Sequence, residues 1–324
     1  MHRSSFDQRH VHKLDPWAVL VTDVRAPHDG AALDPATTWT VGAVLPLGVP
    51  HPVYAQQSAV LLALEAFRQA GTALAHVAGG VPLGHAFVAT RVAMRWTADP
   101  GALVGEVPVR FAFRTLHAEH RRGTLVQHVF DATVTLDDVV VAEASGDLQC
   151  IDPRVHARLR AGATTWQDVE HRHDASILGD VRTTPGTLDA RLGWDADDRM
   201  TFDHGVDHLP AMHLARAAVT AHLLLTAAPV VTAVDIRCTR YVELTRPATV
   251  HAGREAASGT ATSTRIVQGT GTDGTGQDAA AVITCGSEVL EPVRRAATGR
   301  TGPGQPAPDP RTLGTRGTLG TSPV

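Results

Sequence analysis

Phe202-Asp-His-Gly-Val-Asp-His-Leu-Pro-Ala-Met-His-Leu-Ala-Arg-Ala-Ala-Val-Thr-Ala-His222 decides the architecture of this chain. A polar loop rich in His and Asp runs through Pro210 into an apolar segment. Leu209, Met212, Leu214, Ala217, Ala218, Ala221 and Leu225 recur at helical spacing and predict one buried face. A strand alternates every two residues and could not hold those positions on one side. Immediately downstream, Val230-Val-Thr-Ala-Val-Asp-Ile-Arg-Cys-Thr-Arg-Tyr241 alternates as a strand does, and further strand candidates follow near 248–256, 261–269 and 279–290. Strand candidates also precede the helix, near 187–194 and at Met200.

The same plan occurs once before. Strands over Trp17–Asp23 and Thr38–Leu45 lead into Ser58-Ala-Val-Leu-Leu-Ala-Leu-Glu-Ala-Phe-Arg-Gln-Ala-Gly-Thr-Ala-Leu-Ala-His76, a helical segment apolar nearly all round and therefore expected to be buried. Gly79-Gly80 and Pro82 end it. Four strands are expected after it, at Ala86–Trp96, Glu106–His117, Thr124–Leu136 and Val139–Cys150, with Asp137-Asp138 turning the last hairpin. Two β-β-α-β-β-β-β runs, each wrapping one helix in antiparallel strands, make the fold an α+β tandem double hotdog, duplicated in plan though not closely in sequence. The expected division is a first hotdog domain over 11–151, a linker over 152–186, a second hotdog over 187–292 and a disordered, Gly/Pro-rich tail over 293–324. The linker is expected to carry a short helix over Pro153–Arg160 and a solvated cluster, His171-Arg-His-Asp174.

Composition narrows the function. At 324 residues and 43% apolar, the chain can build two ordinary cores, and 19% charged residues argues against wholesale disorder. A net charge of -4 gives no electrostatic footprint for nucleic acid or an anionic membrane. Lys13 is the only lysine. Cys150, Cys238 and Cys285 are odd in number and scattered, which suits a reducing compartment better than a disulfide framework. With no apolar leader and no membrane-length run, a cytoplasmic protein is expected. Gly269-Thr-Gly-Thr-Asp-Gly274 has the spacing of a dinucleotide loop, but strands rather than a helix follow it, so a hairpin loop is expected there.

Four phrases carry a resemblance: Val11-His-Lys13, Leu64-Glu-Ala-Phe-Arg-Gln-Ala-Gly71, Gly80-Val-Pro-Leu-Gly-His85 and Phe202-Asp-His-Gly-Val-Asp-His-Leu-Pro210. In this order and spread across both halves, they resemble the A-factor biosynthesis (AfsA-type) hotdog family of actinomycetes. The resemblance runs from about Val11 to Pro292. It implies an acyltransferase of γ-butyrolactone or butenolide signal biosynthesis, linked to antibiotic production. Such an enzyme moves a β-ketoacyl group from an acyl-carrier-protein or CoA thioester to the hydroxyl of dihydroxyacetone phosphate or a similar small phosphorylated acceptor. It implies no cofactor. The matching positions are Glu65, Arg68 and Gln69 in the first half, and Asp203, His204, Asp207 and His208 in the second. Two departures stand out. Arg216, Val219 and Thr220 replace the acidic, arginine and glutamine positions of the family's second helix, and Ser58, Ala59 and Val60 stand where a His-Asp-Pro phrase normally precedes the first.

The chemistry can be asked of the residues themselves. Acyl transfer to a hydroxyl needs a base, donors for an oxyanion and, for a phosphorylated acceptor, positive charge. Glu65, on an apolar helix, is expected to have a raised pKa and to act as the base; the alternative is a buried structural ion pair with Arg68 one turn on. Arg68 either pairs with Glu65 or binds phosphate. His204 and His208 are four apart with Asp207 between them, a spacing that also occurs in zinc sites, but no third ligand accompanies them. They are expected to line the acyl-thioester pocket, with Asp207 near the helix N-terminus as a cap and His204 as an acid/base. Arg216 is expected either to bind an anionic head group or to neutralise Glu65 across the interface between the halves. Two other functions fit a hotdog pair: a dehydratase or thioesterase acting on a carrier-bound acyl chain, and a non-catalytic protein that binds acyl thioesters.

Overall fold

The computed structural model describes residues 4–55, 57–166, 169, 176–255, 259–268 and 279–292. In the first half, β1 (Val21–Arg25) and β2 (Thr38–Leu47) lead into helix α1 (Ala59–Val77). Then follow β3 (Ala86–Trp96), β4 (Gly105–Arg121), β5 (Thr124–Leu136) and β6 (Val139–Ile151). A short helix α2 (Pro153–Leu159) leads to β7 (Leu178–Thr184), β8 (Thr187–Leu192) and helix α3 (Ala211–Thr226). The last four strands are β9 (Ala233–Cys238), β10 (Thr249–Arg254), β11 (Ala261–Val267) and β12 (Ala281–Gly286).

All twelve strands join one antiparallel sheet in the order β1-β2-β4-β5-β6-β3-β9-β12-β11-β10-β8-β7. Counted outward from the β3–β9 seam, the two halves have identical connectivity, so the sheet has a pseudo-two-fold axis at its centre. The seam registers Val92 with Ile236 and Met94 with Val234, and Arg91 crosses it to Asp235 at 2.8 Å. Each half wraps one helix. This is the tandem double hotdog the sequence implies.

The helices explain why the halves fold as they do. Nearly every residue of α1 is buried, so its hydrophobic surface is matched on all sides instead of along one stripe. Phe67 stacks on Phe113 at 5.6 Å and meets Phe111 and Phe130. Gly71 lets the Phe130 ring close on the helix, because a Cβ there would sit 2.8 Å from it. Met212, Leu214, Ala217, Ala218, Ala221 and Leu225 of α3 are all buried, as is Leu209 just before it. Asp137 and Asp138 both take positive φ (49° and 64°), the geometry of a tight hairpin turn between β5 and β6.

Several local expectations need correction. β1 begins at Val21, because Asp15 accepts the Trp17 N–H and folds Pro16–Ala18 into a helical turn. The linker is shorter than expected: β7 occupies Leu178–Thr184. It is an edge strand, exposed from Asp180 onward and bulged between Gly179 and Arg182, so no alternating pattern marks it. Met200 is no strand residue; it lies in a turn organised by Asp198, whose carboxylate accepts the Met200 and Thr201 N–H groups. The sequence expectations for His171–Asp174, Gly269–Gly274 and 293–324 lie outside the described residues.

Candidate active site

A cleft of about 480 Å³ opens where the two halves meet. Its walls are the middle of α1, the first residues of β3, the end of β6, the 200–208 loop, the first turn of α3, and Cys238–Val242 after β9. Phe87, Ile151, Leu209, Met212 and Val242 make much of it apolar, while His12, Lys13, Glu65, Arg68, His204 and His208 supply its polar groups. A larger concavity of about 790 Å³ crosses the β3–β9 seam among Arg91, Ala93, Arg95, Asp131, Glu143 and Asp235, remote from these groups.

At the floor, Glu65 accepts four donors. Arg68 grips it through Nε and Nη2, both at 2.8 Å, Gln69 Nε2 donates at 2.9 Å and Lys13 Nζ lies 3.1 Å away. Burial alone would raise this carboxyl, but Arg68 and Lys13 outweigh burial and hold it down to about 2. The expectation of a raised pKa is therefore overturned. A carboxylate this strongly paired is held ionised and is a poor proton acceptor, an arrangement that favours a structural anion over a base. Gln69 is wholly buried; it donates to Ala18 O and accepts from Leu20 N, tying α1 to the chain before β1.

Lys13 joins the halves. Its ammonium also donates to Met200 O and lies 3.9 Å from Asp203 Oδ1, with its side chain only 3% exposed. Asp203 Oδ2 accepts the backbone N–H groups of Leu14 (2.7 Å) and Asp15 (3.1 Å). Burial opposes the Asp203 charge, but His204, Lys13 and the Leu14 N–H prevail and lower its pKa. An ionised carboxylate can only accept, so the 2.6 Å contact between Asp203 Oδ1 and His204 Nδ1 fixes the proton on Nδ1. In the neutral ring Nε2 of His204 then carries the lone pair, on a side chain that is 37% exposed and lines the cleft.

A second Asp–His pair follows four residues on. His208 Nδ1 meets Asp207 Oδ1 at 2.6 Å, and its ring lies 4.6 Å from that of Tyr241. Arg160, at the C-terminal end of α2, anchors the pair. It donates to Asp207 Oδ2 (2.8 Å), to Asp207 O (2.9 Å) and through both Nη atoms to Glu243 (2.8 Å each), and lies 4.2 Å over the Tyr241 ring. Asp207 is thus occupied by His208 and Arg160 and does not cap α3. The N-cap is Pro210, with no side-chain cap; its carbonyl takes the His213 and Leu214 N–H groups, which leaves those of Ala211 and Met212, both cleft-lining residues, uncapped.

Arg216 sits outside the cleft. It donates to Asp198 Oδ2 at 2.6 Å, the same carboxylate that organises the 198–201 turn. It meets neither Glu65 nor the pocket, which corrects both expectations for it. Cys238 lines the cleft, but burial pushes its thiol up to about 11, so it is no thiolate nucleophile. Among the described residues, no group of three or more His, Cys, Asp or Glu side chains is arranged to hold a metal ion.

His12 was quoted in the sequence only as part of a phrase, and the structure brings it into the cleft. His76 Nδ1 donates to Val81 O at 2.7 Å, so His76 Nε2 accepts from His12 Nε2 at 3.1 Å, and His12 Nδ1 is left as an acceptor. Burial and the Arg68 charge lower His12 to about 3, which keeps it neutral. Arg160 and Glu243 carried no sequence signal; they meet only through tertiary structure. Lys13 did carry one, as the chain's only lysine.

The fold and the cleft together define a tandem hotdog protein with an Asp–His dyad at the junction of its halves. A family model of the A-factor biosynthesis hotdog domain matches residues 3–152, which span the first hotdog of the chain. A curated relative, the 2-oxo-3-(phosphooxy)propyl 3-oxoalkanoate synthase of Streptomyces virginiae, is 29% identical over 206 residues, covering 59% of this chain and 70% of the relative. Among solved structures, an acyl-ACP thioesterase from Bacteroides thetaiotaomicron is similar at a TM-score of 0.47 and 10% identity, over 77% of this chain and 97% of that one. A 12:0-ACP thioesterase from Umbellularia californica is similar at a TM-score of 0.43 and 8% identity, over 76% and 96%. The fold assignment stands on the topology of the sheet itself. No helix among the described residues is long and apolar enough to cross a membrane.

Proposed function

We propose that this protein is an acyltransferase that moves a 3-oxoacyl group from a thioester to the hydroxyl of a small phosphorylated acceptor such as dihydroxyacetone phosphate. The observation that carries this is the Asp203–His204 dyad, which leaves an imidazole lone pair at Nε2 in a cleft that is otherwise largely apolar. The name of the Streptomyces relative describes the ester such a transfer would form.

The steps balance as follows. His204 Nε2 takes the acceptor's hydroxyl proton as the oxygen attacks the thioester carbonyl, and Asp203 stabilises the imidazolium that forms. The uncapped first turn of α3 offers N–H groups and the positive end of its dipole to the tetrahedral oxyanion. The C–S bond then breaks, the thiolate recovers the proton from His204, and the ester departs. Arg68, whose Nη1 edge is left over from its grip on Glu65, and Arg240, which also lines the cleft, supply positive charge for a phosphate. His208 lines the same cleft, and Asp207 holds it there. Glu65 and Gln69 position Arg68 and Lys13 and take no part in proton transfer.

The test is mass spectrometry of purified protein incubated with a 3-oxooctanoyl N-acetylcysteamine thioester and dihydroxyacetone phosphate. A phosphorylated ester that forms with the wild type and disappears in His204→Ala supports the proposal. A free acid would identify a thioesterase, an unsaturated acyl product would identify a dehydratase, and intact thioester bound without turnover would identify a binding protein.

A further inference from the structure

Lys13, the only lysine of the chain, is buried between a carboxylate from each half. The helical turn Gln8–Val11 ends at His12, whose φ of 54° turns the backbone so that the Lys13 N–H donates to Gln8 O at 3.1 Å. The next two N–H groups, of Leu14 and Asp15, bind Asp203 Oδ2 and fix the Lys13 backbone against the second half. The side chain, 3% exposed, reaches Glu65 Oε1 of α1 at 3.1 Å and Asp203 Oδ1 at 3.9 Å. Asp203 Oδ1 is also the atom that holds His204 Nδ1 at 2.6 Å. One carboxylate oxygen is thus shared between an ammonium and the imidazole of the dyad.

Two anions, Glu65 and Asp203, meet two cations, Arg68 and Lys13, so the group is balanced while His204 is neutral. A proton on His204 makes it positive. Without Lys13 the group would carry one negative charge in excess and would draw that proton in. A dyad already protonated at neutral pH takes no proton from a hydroxyl. The second dyad repeats the arrangement: Arg160 Nε lies 2.8 Å from Asp207 Oδ2, while Asp207 Oδ1 holds His208. Each Asp–His pair of the cleft therefore has its own largely buried cation on the aspartate.

We propose that Lys13 is a positioning residue of the dyad, the charge that keeps His204 unprotonated, and so able to act as a base, at neutral pH. This rests on the acyl transfer proposed above, in which His204 takes the hydroxyl proton. The other titratable or charged groups around His204 are His12, from the same segment as Lys13, Glu65 and Arg68 of α1, and His208 and Arg240 of the cleft lining. Asp15 is paired with Arg199 at 2.8 Å. All of these remain when Lys13 alone is changed. Removing a cation favours the imidazolium, so His204 would take up its proton at higher pH; neutralising Glu65 has the opposite sign. A residue that only held the halves together would alter stability without moving that pH.

The experiment is an NMR titration of the histidine rings in isotope-labelled full-length protein, with His204→Gln to assign the His204 signal. In Lys13→Gln, which keeps a donor for Met200 O, the His204 midpoint should rise by about one pH unit. In Lys13→Arg it should stay near the wild-type value, and in Glu65→Gln it should fall. Ester formation should follow the titration: the acid limb of kcat/KM moves up with the midpoint in Lys13→Gln, which is about tenfold in rate at any pH below it. A folded Lys13→Gln whose midpoint is unmoved or lower would overturn the proposal, as would shifts of the same sign in Lys13→Gln and Glu65→Gln. If Lys13→Gln is too unstable to titrate, Glu65→Gln decides: a lower midpoint supports the charge balance and any other result overturns it. If wild type forms no ester, the proposed transfer fails, while the titration, which needs no turnover, still supports or overturns the effect of Lys13 on His204.

Discussion

Replacing Asp203 by Asn tests the dyad most directly. The carboxylate now accepts from His204 Nδ1 on one oxygen and from the Leu14 and Asp15 N–H groups on the other. In Asp203→Asn the amide oxygen can keep the two backbone donors, which turns the NH2 group toward His204. The imidazole must then accept at Nδ1 and carry its proton on Nε2, so the lone pair that faces the cleft is lost. The variant also removes the charge that would stabilise the imidazolium across a 2.6 Å contact. With an effective dielectric constant near 20 and allowance for the solvent that reaches His204, that interaction amounts to roughly 4 kcal/mol. At 1.36 kcal/mol per decade, kcat should fall about a thousandfold, with KM for the acceptor little changed. The assay is steady-state ester formation from the N-acetylcysteamine thioester, with thermal unfolding measured in parallel to show that the loop still folds. A kcat within about tenfold of wild type would refute the role of the dyad.

Other outcomes follow from the same contacts. Glu65→Gln should act chiefly on stability, because it leaves Lys13 and Arg68 buried without their anion; denaturant unfolding should show a loss of about 3–5 kcal/mol, and a collapse of kcat with unchanged stability would restore Glu65 as the base. Arg216→Met should lower the unfolding midpoint by freeing Asp198 yet leave KM for the phosphorylated acceptor within about twofold; a tenfold rise in that KM would return Arg216 to the substrate site. Stability should fall with acid in two overlapping stages. His128 and His213, lowered by burial from 6.5 to about 4, take up protons more readily when unfolded, so the stability they hold above pH 6.5 is lost as pH falls toward 4. Glu65, lowered from 4.5 to about 2, contributes stability that is full above about pH 4.5 and is lost as pH falls toward 2. Urea midpoints should hold level from pH 8 to about pH 7 and decline from there to pH 3, and a midpoint that rises on acidification below pH 6.5 would contradict both assignments.

The sequence by itself determined the two helices, most of the strands and their duplicated order. Those features rest on local periodicity: the apolar spacing of Ser58–His76 and Leu209–Leu225 and the alternation of β4 and β5 are written in neighbouring residues. It also marked the 203–208 loop and the α1 charges as the polar groups of interest. It missed β7, because an exposed edge strand has no alternating pattern to show. Only the tertiary structure decided what the polar residues do. The ionisation of Glu65 depends on Lys13, which lies 52 positions earlier in the chain. The tautomer of His204 depends on a carboxylate held by the Leu14 and Asp15 backbone, almost 190 residues away. Arg216, one residue in sequence from the buried face of α3, turned to Asp198 and not to Glu65. Protonation states and ion pairs are set by charges within a few ångströms, and chain spacing does not encode which distant segments come that close.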